Sequence, residues 1–152
     1  MNRILFVCHG NICRSPMAEF VMKDMIRRRG FAQDFLIASA ATSAEELGNP
    51  VHRGTVRKLA QFGIPLEERR AIRLTWGDYT KYDYLLGMDS DNIHNMLGIL
   101  GEDPDRKIHR LLDFAAFPRD IADPWYTGDF DRTYDDIAEG CSALLDQITR
   151  EA

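Results

Sequence analysis

A chain of 152 residues with 45% hydrophobic and 28% charged residues can bury one real core and is too apolar for disorder. A formal net charge of −5 argues against nucleic acid as a main partner, and no apolar run approaches membrane-spanning length. Three cysteines, few and odd in number, form no disulfide framework, and residues 1–15 lack the apolar core of a signal peptide, so a cytoplasmic protein is expected.

The run Ile4-Leu5-Phe6-Val7 reads as a short buried strand that stops at Cys8. A tight segment containing Gly10 follows, and Ser15 as N-cap with Pro16 at the first helical position then starts a helix over 16–29. Ala18, Val21, Met22, Met25 and Ile26 give that helix its apolar stripe, and Gly30 stops it. Strand two is predicted over 35–38, ending near Ser39-Ala40-Ala41-Thr42. A polar loop runs through Gly48-Asn49-Pro50, and helix two covers 51–62 before Gly63 and Pro65. Thr75-Trp76-Gly77-Asp78 resembles a capping box and predicts a short helical turn. Strand three covers 84–88, Asp89-Ser90-Asp91 opens helix three over 92–100, and strand four covers 107–112, ending at Asp113. A long connection over 114–131 carries Asp123-Pro124-Trp125-Tyr126, and the last helix, 134–150, turns Ile137, Cys141, Leu144, Leu145 and Ile148 inward.

Strands and helices alternate four times, which implies a single α/β domain: a parallel sheet with helices on both faces. Right-handed crossovers bring every carboxyl end of a strand to one edge, where such sheets bind ligands. Cys8, Ser39, Asp89 and Asp113 fall at those ends.

The chemistry begins at Cys8. Backbone amides between a strand end and a helix N-terminus form an anion site, and Arg14 adds a planar fork suited to phosphate oxygens. A thiol in that setting is biased toward thiolate. Hydrolysis of a phosphate monoester by cysteine needs such a nucleophile, donors for the phosphoryl oxygens and a proton for the leaving group. Candidate acids at the edge are Asp89, Asp113, Asp120, Asp123 and Asp129. Asp123 is preferred: Pro124 restricts it to extended backbone, and Trp125 and Tyr126 offer aromatic surface to flank a flat substrate and shield the acid from water. Asp89 is expected to cap helix three and to brace Arg14 or the acid loop. His9 is expected to offer its backbone N–H rather than act as a base. Asn11 tolerates left-handed backbone in mid-loop. Ser15 is placed to donate to the Cys8 sulfur. Cys8, His9 and Cys13 lack a fourth ligand for zinc, so no metal and no cofactor is expected. His52, His94 and His109 look scattered, and Cys141 reads as core. Cys8 and Cys13 bracket one tight loop, so peroxide is expected to oxidise Cys8 and Cys13 to capture it as a disulfide.

The run Val7-Cys8-His9-Gly10-Asn11-Ile12-Cys13-Arg14-Ser15-Pro16-Met17-Ala18-Glu19 resembles the signature of the low-molecular-weight protein tyrosine phosphatases, and Asp123-Pro124-Trp125-Tyr126 resembles their acid loop. The resemblance implies a strand order 2-1-3-4, a phosphocysteine intermediate, a phosphotyrosine protein or peptide as substrate and inorganic phosphate as product. It assigns His9, Gly10, Asn11, Ile12, Cys13, Arg14 and Ser15 to phosphate binding, Asn11 and Ser15 to holding the loop, and Ser39 to supporting Asn11. Three residues depart from the pattern. Ala41 stands where a glycine is usual, Glu45 where an aromatic pocket wall often lies, and Arg69 about where a histidine often supports the loop. They bear on substrate preference, not on reaction type. Ile12, Glu45, Trp125 and Tyr126 are the expected pocket walls. In the related arginine phosphatases the residue at Ile12 resembles threonine, so a protein arginine phosphatase is the alternative. Arsenate reduction needs further cysteines on a mobile segment, which Cys141 on a packed helix does not supply, and a mere phosphate-binding module needs no reactive thiol or acid.

Overall fold

Five consecutive residues, Ile4 to Cys8, are buried, and that fixes their strand at the centre of the sheet. The computed structural model describes residues 1–151. Its single sheet is parallel throughout: β1 (Asn2–Cys8) lies between β2 (Phe35–Ala41) and β3 (Tyr84–Gly87), with β4 (Ile108–Arg110) at the far edge. The order is therefore 2-1-3-4, as the resemblance implied. Alternation along β1 sends its apolar side chains to two separate cores. Ile4, Phe6 and Cys8 pack with residues of α1 (Arg14–Arg28) and α6 (Phe130–Glu151), whereas Leu5 and Val7 pack with Leu74, Met96 and Leu100. The second layer includes α3 (Asp78–Lys81) and α4 (Ser90–Leu100); α2 (Arg53–Gln61) and α5 (Pro124–Thr127) complete the helices. Among the described residues no helix is long and apolar enough to cross a membrane.

The boundaries differ from the sequence reading where tertiary partners intervene. The first helix begins at Arg14, not Pro16, and Ser15 is not its cap: Cys13 holds the cap position without a side-chain hydrogen bond. The second helix begins at Arg53 because the His52 ring accepts from the Gly54 amide through Nδ1 at 3.0 Å. The Asp78 carboxylate accepts from the Thr75 amide at 2.9 Å, one half of the expected box, while the Asp78 amide donates to the Thr75 carbonyl at 3.0 Å rather than to its hydroxyl. Asp89 caps α4 in a full capping box with Asn92, as expected. The fourth strand is only three residues long, because the chain leaves the edge in a 3-10 turn over Leu111–Phe114. The long connection contains α5, with Pro124 in its first turn, and the last helix starts at Phe130, since Asp129 accepts from the Arg132 amide at 3.0 Å.

Leu111 leaves the sheet directly over Gly140 of α6, where an added Cβ would stand 2.6 Å from Leu111 Cγ. Forcing a methyl into such a contact costs about 1–3 kcal/mol. That exceeds the roughly 1 kcal/mol alanine gains over glycine in a helix. Gly140→Ala is thus expected to lower the urea midpoint. Gly98→Ala in α4, whose added Cβ meets nothing, is expected to hold or raise it.

Candidate active site

The segment from Cys8 to Arg14 curls because its carbonyls are claimed from outside. Cys8 O accepts from the Thr42 amide (3.0 Å), His9 O from the Ser43 amide (3.0 Å), Ile12 O from the His52 amide (2.8 Å) and Cys13 O from the Thr55 hydroxyl (3.0 Å). A turn with its acceptors drawn outward leaves its amides for the inside, which is the polarity an anion site requires. The turn is completed by Asn11, fully buried at φ 58°, a left-handed backbone that asparagine tolerates. The expectation for Asn11 therefore holds.

Two donors reach the Cys8 sulfur. Ser15 Oγ lies 3.0 Å away and the Asn11 amide 3.3 Å away. Asn11 Nδ2 in turn donates to Ser15 Oγ at 2.7 Å. The Ser15 hydroxyl is thus engaged with the loop and the sulfur, which is why it does not cap the helix.

Ser39 does not touch Asn11. Its hydroxyl donates to Glu19 Oε1 at 2.5 Å, and Glu19 lies 3.7 Å from Arg69 Nε. Arg69 is the residue that holds Asn11, donating to its main-chain oxygen at 3.2 Å and to its Oδ1. The Ile72 amide donates to the same Oδ1 at 3.1 Å. The support assigned to Ser39 is therefore two steps removed, through a buried ion pair. Arg69, expected as a departure, fills the supporting role with different chemistry. Glu19 was missed as a site residue. A carboxylate next to Ala18 and Phe20 on a buried helix was the signal that could have found it.

The Arg14 guanidinium is almost wholly buried. It donates from Nη1 to Asp89 Oδ2 (2.6 Å) and to the Ile121 carbonyl (2.8 Å), and from Nη2 to Asp123 Oδ2 (3.4 Å). Burial alone would lower its pKa, but the Cys8 charge and the Asp89 hydrogen bond outweigh burial and hold it above its ordinary value. Asp89 thus braces Arg14 as well as capping α4. Of the five candidate acids, only Asp89 and Asp123 reach this guanidinium. Asp113 and Asp120 pair with Arg110, and Asp129 caps α6.

Asp123 caps α5, accepting from the Trp125 amide at 3.0 Å, with the extended backbone that Pro124 dictates. It faces a cavity of about 100 Å³ lined also by Cys8, Ile12, Arg14, Glu45 and Trp125. Tyr126 lines it too, so all four expected pocket walls meet there. The two rings do not seal the acid. Trp125 is 57% and Tyr126 82% exposed, and the Asp123 side chain is 23% exposed. Glu45 faces the His9 ring across the rim, with Oε2 3.2 Å from Nε2. His52, read as scattered, instead joins the two halves of the site. Its amide holds Ile12, and its ring lies edge-on to Trp125 (5.7 Å) and stacked on Phe130 (5.5 Å). Ala41 is accommodated without difficulty: fully buried, it donates to Ile72 O and accepts from the Leu74 amide, extending the sheet.

The sequence matches the low molecular weight phosphotyrosine protein phosphatase family over residues 3–152. It is 37% identical over 153 residues to the low molecular weight protein-tyrosine-phosphatase YfkJ of Bacillus subtilis, covering 99% of this chain and 98% of that one. The crystal structure of YfkJ superposes with a TM-score of 0.94 at 36% identity, covering 99% and 96% of the two chains. The crystal structure of DARP, a Drosophila arginine phosphatase, superposes with a TM-score of 0.87 at 29% identity, covering 97% and 98%.

All three cysteines are free and buried, yet among the described residues only Cys8 has donors aimed at its sulfur. The Cys13 thiol is pushed up to about 12, first by burial and then by the Cys8 charge. Burial pushes the Cys141 thiol up as well. Iodoacetamide at pH near 7.5 is therefore expected to add one label, on Cys8, by intact and peptide mass. A native-state label on Cys13 or Cys141 would contradict this.

Proposed function

The chain belongs to the low molecular weight phosphotyrosine protein phosphatase family, and from that premise we propose that it hydrolyses phosphotyrosine in proteins or peptides, releasing inorganic phosphate. The observation that carries the reading is one cavity with Cys8 and Asp123 both in its wall and Arg14 bonded to the acid. Cys8 Sγ attacks phosphorus, and the bond to the phenolic oxygen breaks as Asp123 delivers its proton to that oxygen. His9, Gly10, Asn11, Ile12, Cys13, Arg14 and Ser15 form the cradle: loop amides and the Arg14 N–H groups left over from its carboxylate and carbonyl partners hold the phosphoryl oxygens. In the second step Asp123 takes a proton from water, the water oxygen bonds to phosphorus, and the S–P bond breaks. The Ser15 hydroxyl stabilises the departing thiolate. No cofactor enters this scheme, and a chelator is expected to leave turnover unchanged.

Two outcomes test these roles. Cys8→Ser is expected to abolish turnover of aryl phosphates while oxyanion binding persists. Asp123→Ala is expected to slow turnover about 10²–10⁴-fold, with a smaller loss for leaving groups that need no proton. Retained activity in Cys8→Ser, or the same leaving-group pattern in Asp89→Ala but not in Asp123→Ala, would defeat the assignment.

Ile12 supports a phenyl ring as the group next to phosphorus. It lines the cavity and packs with Cys13, Ala71 and Phe130. An apolar wall suits a flat ring, whereas a guanidinium there leaves its N–H groups short of acceptors. Trp125 and Tyr126 add stacking surface. Glu45, with Glu46 beside it in the cavity wall, favours a cationic substrate, and it makes arginine phosphatase the second reading. Phosphoserine and phosphothreonine are too short to bring phosphorus to the loop. Values of kcat/KM for peptides of the four classes are expected to rank phosphotyrosine first. A preference for phosphoarginine, unchanged by Ile12→Thr, would show that Glu45 reads the substrate.

The free thiols suit the reducing cytoplasm, where this reading places the protein. Peroxide would oxidise Cys8 to a sulfenic acid, and Cys13 would then form the disulfide with loss of water. Mass spectrometry is expected to find the Cys8–Cys13 crosslink. Irreversible over-oxidation of Cys8 without it would refute the redox role.

A further inference from the structure

The catalytic cavity has a neighbour. A second hollow, of about 390 Å³, opens between α2 and the junction of α5 with α6, lined by Arg53, Arg57 and Lys58 from the one and by Asp129, Phe130 and Asp131 from the other. His52 stands between the two cavities. Its ring lies edge-on to Trp125, which lines the first, and stacked on Phe130, which lines the second. Phe130 also packs against Ile12, so one ring backs both spaces. We infer that the second cavity seats an acidic side chain of the phosphopeptide substrate, held by Arg53 and Arg57. The inference rests on the phosphotyrosine-peptide reading above and adds to it which phosphotyrosines are chosen.

The charged groups around this hollow are not equivalent. Lys58 Nζ is bonded to Asp131 and, at 2.7 Å, to Gln61 Oε1. Asp129 is engaged at the start of α6, where it accepts from the Arg132 amide at 3.0 Å. Among the described residues neither the Arg53 nor the Arg57 guanidinium has a hydrogen-bond or ion-pair partner, and both residues are exposed. Local physics disfavours the pair. Arg53 is the first residue of α2, where the positive end of the helix dipole opposes a cation. Arg57 follows one turn later on the same face, and like charges at that spacing repel. An anion seated between the two guanidiniums relieves both penalties at once. A carboxylate suits them, since each guanidinium presents a planar fork of donors.

The position of the hollow fits a peptide already anchored at Cys8. The His52 ring is 5.7 Å from Trp125 and 5.5 Å from Phe130, and an extended chain rises about 3.3 Å per residue. The acidic residue therefore lies about two to four positions from the phosphotyrosine. Gly54 makes the close approach possible: an added Cβ there would collide with the Phe130 ring, so its absence lets that ring pack directly on α2. Glu45 and Glu46 line the catalytic cavity but not the second one, so a carboxylate seated by the arginines is clear of them.

The test compares phosphotyrosine peptides that carry Glu, Ala or Lys at two to four positions on either side, using the full chain at low and high salt. On one side of the phosphotyrosine, Glu is expected to lower KM about fivefold relative to Ala, with kcat unchanged, as two exposed ion pairs predict. The gain is expected to shrink at high salt. Arg53→Ala combined with Arg57→Ala is expected to erase the difference between Glu and Ala peptides. Turnover of p-nitrophenyl phosphate, which has no flanking residues, is expected to stay at the wild-type value and so shows that the variant is folded. Glu at both positions is expected to transfer the preference to the Lys peptides, and Arg57→Lys to keep most of the wild-type preference. Equal KM for Glu and Ala peptides in the wild type, or a preference that survives the double alanine variant, would overturn the inference and leave the phosphatase reading intact. Loss of binding to phosphatidylserine vesicles in that variant, with peptide preference unchanged, would assign the arginines to a membrane surface and overturn it as well. Failure to turn over any phosphotyrosine peptide would instead defeat the phosphotyrosine reading and this inference together.

Discussion

The left-handed turn at Asn11 is the constraint on which the site depends. A chain leaving β1 in extended conformation must reverse within six residues to enter α1. With Asn11 at φ 58° and buried, the carbonyls of Cys8, His9, Asn11, Ile12 and Cys13 face the surrounding shell and are occupied there. A glycine could adopt the same φ but could not do what the Asn11 side chain does. Its amide joins the outer shell, through Arg69 and Ile72, to the inner one, through Ser15. Backbone shape and sulfur environment therefore come from one residue.

Arg14 performs the corresponding task on the other side of the cavity. Its three partners come from β3's end, from the Ile121 carbonyl and from the acid loop, so a single buried cation ties the phosphate loop to the acid. The connection is doubled by Ile121, whose amide bonds to Met88 O at 2.9 Å. The charge balance is informative. One guanidinium already faces two carboxylates and the Cys8 sulfur, so an incoming phosphate dianion cannot be held by Arg14 alone. The remaining stabilisation falls to the inward-facing amides and to the N-terminus of α1.

These arrangements are stable because β1 is buried on both faces. Five of its seven side chains alternate between two cores, and two of the helices that fill those cores, α1 and α4, also carry the site. Helix α1 brings Arg14, Ser15 and Glu19; α4 is capped by Asp89; α5 is capped by Asp123. Function is thus placed at helix N-termini, whose unpaired amides a carboxylate cap satisfies and an anion can use. His52 extends the pattern, since it caps α2 while its ring touches Trp125.

What the sequence alone determined is what short-range rules determine. The strand–turn–helix around Cys8 and Arg14, the cap at Asp89 and the extended Asp123 before Pro124 each follow from residues within one or two turns of each other. The strand order was read from resemblance, because alternation of strands and helices requires parallel pairing but does not say which strands are neighbours. Tertiary structure decided the support of the loop. Ser39 was matched to Asn11, yet its hydroxyl meets Glu19 first, and the bonds to Asn11 come from residues 58 and 61 positions away. Ser15 looked like a helix cap because a serine before a proline has that local preference, but a buried sulfur and a buried amide compete for its hydroxyl more strongly than the helix end does. Polar groups removed from water take the partner that burial brings within reach, and the sheet that buries them is assembled from segments far apart in the chain.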